Sequence, residues 1–133
     1  LLVTTVGMHP YSYPERPSGE SDWNAFGQMS QMTALMDEYG DTDKQIWVTE
    51  IGAPSDGDRG VGESGQADLI AEALDLIGED PRIGRAYLYT MYDIDLGRRN
   101  PESYFGLFHA PGEPKEIARR LAEGATVCGF PGM

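Results

Sequence analysis

Apolar positions in this chain follow two rhythms that take turns: a period of two over short β-branched stretches and a period near 3.6 over longer ones. Residues 3–9 are rich in β-branched side chains and run into Pro10, which has no amide hydrogen for a ladder, so they predict a first strand. After a loop dense in Pro and Tyr, Ser21 or Asp22 offers a side-chain oxygen for a helix N-terminus. Trp23, Phe26, Met29, Met32, Met36 and Tyr39 then recur at three- and four-residue steps, the apolar stripe of a helix that Gly40 can end. Gln45 to Ile51 predicts a second strand, stopped by Gly52 and Pro54 ahead of a loop rich in Asp and Gly over residues 55–62. Ala67, Ile70, Ala71, Leu74 and Ile77 supply the buried face of a second helix, which Gly78 and Pro81 close. Residues 85–91 predict a third strand, followed by a long loop, a short apolar stretch at 104–108 and a last helix over 114–122.

Strand and helix thus alternate three times. Parallel neighbours need a long connection on one face, so this order predicts the α/β class with right-handed crossovers. In such units the loops leaving the C-terminal ends of strands carry the chemistry, and those loops are the long ones here. The chain has 133 residues, enough for one domain or part of one and well short of the roughly 250 of a closed (β/α)8 barrel. It opens on a β-branched run with neither an initiator methionine nor the basic and apolar regions of a signal peptide, and is expected to be a piece of a larger protein.

Charge narrows the partners. A formal net charge of −12 opposes docking on phosphate backbones, so nucleic acid is not an expected partner. No apolar run reaches the 18 or so residues of a membrane span, and no membrane partner is expected. A single cysteine, Cys128, rules out an internal disulfide, and the compartment is left open. The two histidines, His9 and His109, are far apart, so no local spacing would hold zinc. Asp56-Gly57-Asp58 and Asp93-Ile94-Asp95-Leu96-Gly97 lack the full ligand series of a calcium loop. Phosphate-binding and dinucleotide-binding glycine motifs are absent as well, so neither metal nor cofactor is expected.

Three places hold candidate chemistry. Glu50 stands near the end of the second strand, where alternation would send it to the same face as Ile46 and Val48, with Trp47, Thr49 and Ile51 on the other. A carboxylate among such apolar neighbours is either paired in a salt bridge or functional. His9 and Tyr11, two residues apart at the end of the first strand, would both point to the mouth, where they could orient a carboxylate or bind substrate hydroxyls; a structural role for the histidine is the other reading. Tyr87, Tyr89 and Tyr92 form a phenol cluster beside Asp93, and aromatic faces with a hydroxyl suit the mixed surface of a sugar ring. Whichever of Tyr87 and Tyr89 faces the helices would serve packing instead.

Taken in order, Gly7-Met8-His9-Pro10-Tyr11-Ser12-Tyr13-Pro14, then Ile46-Trp47-Val48-Thr49-Glu50-Ile51-Gly52-Ala53-Pro54, then Tyr104-Phe105-Gly106-Leu107-Phe108-His109-Ala110-Pro111-Gly112-Glu113-Pro114-Lys115 resemble the C-terminal strands of clan A glycoside hydrolases, with bacterial cellulase-like and family 39-like members most similar. The resemblance runs over nearly the whole chain. It implies that residues 1–133 are the C-terminal part of a TIM (β/α)8 barrel, strands six to eight. It also implies Glu50 as the nucleophile of retaining hydrolysis, His9 and Tyr11 as the pair beside it, and a structural role for the Phe-Gly-Leu and Pro-Lys stretches; Tyr89 and Tyr92 are expected as substrate-binding from the phenol cluster itself. Two features depart from the clan. Its acid/base glutamate lies on strand four, outside this sequence, and its strand-eight tryptophan is replaced by Leu88 or Tyr89.

The resemblance therefore implies a glycosidase acting on a polysaccharide or glycoside once joined to the N-terminal half of its barrel, and inert alone. The competing expectation is a non-catalytic half-barrel that binds carbohydrate or assembles with a partner chain, because three β-α units leave two open strand edges. A metal-dependent barrel hydrolase is disfavoured by the ligand spacing.

Overall fold

The computed structural model describes residues 4–127, so Val3, where the first predicted strand begins, and Cys128 lie outside the described residues. Strands β1 (Thr5–Met8), β2 (Gln45–Ile51) and β3 (Ile83–Leu88) form one parallel sheet in the order β1-β2-β3. Helices α1 (Met29–Glu38) and α2 (Gly62–Glu79) supply the crossovers. A 3-10 turn at Pro101–Tyr104, an antiparallel hairpin of β4 (Phe108–Ala110) and β5 (Glu113–Pro114), and α3 (Glu116–Val127) complete the chain. The α/β class and the parallel neighbours are those the alternation predicts.

The central strand organises the core. Ile46 and Val48 are fully buried. Val48 packs with Phe26, Met29, Ile51 and Ala73, and Met8, Leu76, Ile77, Ile83, Ala86 and Leu88 close around them. A second cluster of Ala67, Ile70 and Ile117, flanked by Leu74, Leu88, Leu107 and Leu121, fixes α3 to α2. Each fully buried Val or Ile side chain among them contributes about 1.5–3 kcal/mol. Among the described residues the opposite face of the sheet has no such cover: the ring of Trp47 meets that of Tyr87, the guanidinium of Arg85 lies over Trp47 at 5.0 Å, and Thr49 lies beside Gly7.

Several expectations need correction. The first helix starts at Met29, not near Ser21 or Asp22. Buried Asn24 organises the preceding turns: its amide donates to the carbonyls of Arg16, Pro17 and Gly19, and its oxygen accepts the amides of Phe26 and Gly27. Met29 and Met36 are buried as the stripe requires, and Phe26 is buried in the turns ahead of the helix, whereas Trp23, in those same turns, is 53% exposed and Tyr39, just past the helix, 74%. The third strand covers Ile83–Leu88, two or three residues earlier than residues 85–91. In the apolar stretch 104–108 the chain leaves the 3-10 turn and runs beside residues 90–93, with Thr90 donating to the Phe105 carbonyl and Leu107 to the Thr90 carbonyl.

Strict alternation also fails at the most consequential point. Val48 pairs with Ala86 and Ile51 with Leu88, three steps on β2 against two on β3, which is the signature of a bulge. Ile51 consequently joins Val48 in the core instead of facing away from it. Glu50 is released from the apolar face of Ile46 and Val48 and remains 40% exposed. Bulges beside strand ends re-aim side chains in this way.

Candidate functional site

Glu50 is the penultimate residue of the central strand, and the segment leaving β1 reaches over to it. The Tyr11 hydroxyl donates to Glu50 Oε2 at 3.0 Å, and His9 Nδ1 lies 3.6 Å from the same oxygen. Glu50 Oε1 accepts no hydrogen bond among the described residues. Burial, followed by the hydrogen bond to Glu50 and the charge of that carboxylate, raises the Tyr11 phenol far above its ordinary value, so Tyr11 is a permanent donor.

Phe105, almost completely buried, forms the wall behind these groups. The rings of Tyr11, Tyr13 and Tyr89 meet it edge-on, with centroids at 5.9, 5.4 and 5.5 Å. Such edge-to-face contacts match the positive rim of one ring to the negative face of the next. Tyr89 is thus the aromatic residue turned toward the site, while Leu88 packs into the core.

A second carboxylate enters here. Glu102, on the 3-10 turn, accepts from the Tyr89 hydroxyl at 3.4 Å. Burial and then the charge of Glu102 raise the phenols of Tyr89 and Tyr13, and for Tyr13 the nearby Arg59 acts weakly in the opposite sense. Neither Tyr13 nor Glu102 stands out in the sequence. Tyr13 lies in an irregular loop, and the only local sign at Glu102 is the Asn100-Pro101 pair, which caps the turn through the Asn100 side chain.

Of the five residues singled out from sequence, the structure brings His9, Tyr11 and Glu50 into contact and sets Tyr89 against the same aromatic wall. Tyr92 stands apart: its ring meets Phe108 at 5.9 Å, and its backbone bridges to that residue. A cavity of about 310 Å³ next to Asp93 and His109 is lined by none of the five.

The Pro-Lys stretch has a definite function in the framework. Lys115 is fully buried and donates to Asp93 Oδ1 at 2.7 Å, Ser55 Oγ at 2.8 Å and the Tyr104 carbonyl at 3.1 Å. Its three ammonium hydrogens are therefore all used, and they join the loops after β2 and β3 to the start of α3. Gln66 of α2 acts similarly, donating to the carbonyls of Ala53, Tyr104 and Gly106. His109 lies between Asp93, at 3.2 Å from Nδ1, and Glu63, at 2.8 Å from Nε2.

Among the described residues no group of three or more His, Cys, Asp and Glu side chains is arranged to hold a metal ion, and no helix is long and apolar enough to cross a membrane.

No family model and no curated protein matches the sequence. Solved structures do. The chain superposes on a family 39 glycoside hydrolase from Bacteroides cellulosilyticus WH2 with a TM-score of 0.72 and 22% identity, over 93% of its own length and 27% of that protein's. It superposes on a family 2 β-galacturonidase from Eisenbergiella tayi with a TM-score of 0.68 and 18% identity, over 95% and 24%. The chain has a glycoside-hydrolase-like fold. A family 128 endo-β-1,3-glucanase from Sorangium cellulosum shares this glycoside-hydrolase-like fold with a TM-score of 0.55 and 22% identity, over 88% and 40% of the two chains. The chain spans about a quarter of the length of the first two structures.

Proposed function

We propose that residues 1–133 form the C-terminal part of a (β/α)8-barrel glycoside hydrolase and that Glu50 is the nucleophile of a retaining reaction on a polysaccharide or glycoside. The observation that carries this reading is the hold on Glu50. A carboxylate at the C-terminal end of the central parallel strand has one oxygen fixed by Tyr11, with His9 close by, and the other without a hydrogen bond among the described residues. C-terminal strand ends are where barrel enzymes place their chemistry.

In this reading Oε1 of Glu50 attacks the anomeric carbon while a second carboxylic acid, about 5–5.5 Å away, protonates the departing oxygen. The resulting glycosyl ester is cleaved by water, which that second group deprotonates. Tyr11 keeps the attacking carboxylate in one orientation, and effective molarity depends on such alignment. In this reading the second carboxyl group comes from a barrel strand outside residues 1–133, and residues 1–133 alone are expected to be inert. His9 and Tyr89 contact the sugar, and Tyr92 lies further from the reacting carbon.

An activated 2-deoxy-2-fluoro glycoside tests the assignment in the complete protein. Covalent label on Glu50, located by peptide mapping, is the expected result; label on another residue, or turnover that continues with none, overturns it.

The sheet face carrying Trp47, Arg85 and Tyr87 supports a second reading, in which residues 1–133 bind carbohydrate or a partner chain without catalysis. Size-exclusion chromatography of the isolated chain separates the two, since a monomer without sugar affinity contradicts the second.

A further inference from the structure

We propose that the site selects uncharged sugars over uronides and that Glu102 is the residue that imposes the choice; the inference rests on the reading of Glu50 as a sugar-facing carboxylate. Two carboxylates address one aromatic patch. Glu50 accepts from Tyr11 and Glu102 from Tyr89, and both tyrosines lean on Phe105. The fields of the two acids overlap there, since both raise the phenols of Tyr11 and Tyr89.

A sugar ring laid on this patch lies between two negative groups. Hydroxyls suit that position because a carboxylate offers about four lone-pair sites and only accepts hydrogen bonds. A ring carboxylate does not: like charges about 5 Å apart at an effective dielectric near 20 disfavour binding on the order of 100-fold. Among the described residues, the arginine near the patch is Arg59, whose guanidinium lies over the Tyr13 ring at 5.5 Å while donating to the Tyr13 carbonyl at 3.3 Å. Its field opposes that of Glu102 at Tyr13 and is not among the influences on Tyr11 or Tyr89. The fold alone does not decide the matter, because it is shared with a β-galacturonidase as well as an endo-β-1,3-glucanase. The charge does.

The test is equilibrium binding to the complete protein, followed by saturation-transfer NMR with competition, for the hydrolysis-resistant phenyl 1-thio-β-glucoside and 1-thio-β-galactoside against the matching 1-thio-glucuronide and 1-thio-galacturonide. The neutral member of at least one pair should bind about tenfold or more tighter. Glu102→Gln, which keeps an oxygen for the Tyr89 hydroxyl, should shrink that ratio at least threefold by strengthening the uronide. Uronides bound as tightly as neutral sugars, or a ratio unchanged in E102Q, overturns the proposal. Absence of binding by all four sugars overturns both this inference and the reading beneath it. The expected ratio together with no fluoro-sugar label on Glu50 supports the selectivity and removes only the catalytic role of Glu50.

Discussion

The Tyr11 hydroxyl donates to Glu50 Oε2 across 3.0 Å, joining the exits of two neighbouring parallel strands. A hydrogen bond to a charged group contributes about 1.5–3 kcal/mol. Tyr11→Phe keeps the ring against Phe105 and removes only that bond. The expected outcome is a fall in kcat of about 10- to 100-fold with KM changed much less, read from steady-state kinetics of the complete protein. An unaltered kcat would mean that the orientation of Glu50 does not limit the reaction.

Gly52 follows the nucleophile candidate by two residues, and a Cβ there would stand 2.2 Å from the Tyr89 carbonyl oxygen and 3.1 Å from the Phe105 ring. The clash is with backbone, so the loops after β2 and β3 would have to separate. Gly52→Ala should destabilise by about 1–3 kcal/mol. Thermal unfolding measures that loss, and the displaced Tyr89 should weaken sugar binding in the same variant.

Lys115 is completely buried and pairs with Asp93, which is itself largely enclosed. Removing one partner of such a pair leaves an uncompensated charge and costs about 3–5 kcal/mol. Lys115→Ala should therefore move the urea midpoint far down. Lys115→Met retains the packed stem and should recover part, but not all, of the difference.

Acid should act through Glu72 and Glu63. The Ser18 hydroxyl first, then the Ser18 amide and Arg16, hold Glu72 below its ordinary value of 4.5; a hydrogen bond from His109 does most to hold Glu63 below it. A carboxylate whose folded pKa is depressed contributes stability above that ordinary value and loses it as pH falls through the folded one. The melting temperature of the native protein should thus drop as the pH is lowered below 4.5. Glu72→Gln should start lower at neutral pH and fall less steeply over that range, as followed by circular dichroism.

Where side-chain rhythm alone sets the structure, the sequence is readable. Ile46 and Val48 mark the central strand, and Ala67 and Ile70 mark the buried side of α2, because burial on one face leaves a period that single residues report. The misplaced start of α1 has a local cause: Asn24 bonds five backbone groups and holds as turns a stretch whose apolar spacing fits a helix. The orientation of Glu50 was hidden by the bulge before Ile51, since one added residue reverses the face of everything beyond it. His9, Tyr11 and Glu50 lie in motifs at strand ends and could be named together. Glu102 could not, because the approach of its turn to Tyr89 is a tertiary relationship with no periodic trace.

Phe105 carries a consequence beyond packing. Three phenols from two separate loops rest on the edges of a single ring. None of them can be repositioned alone by altering the wall: trimming Phe105 to Leu would give Tyr11, Tyr13 and Tyr89 room together. Under the proposed function, a change of specificity is therefore more accessible through groups beside the individual tyrosines, Glu102 at the Tyr89 hydroxyl and Arg59 over the Tyr13 ring, which can be exchanged one at a time, than through the ring that all three share.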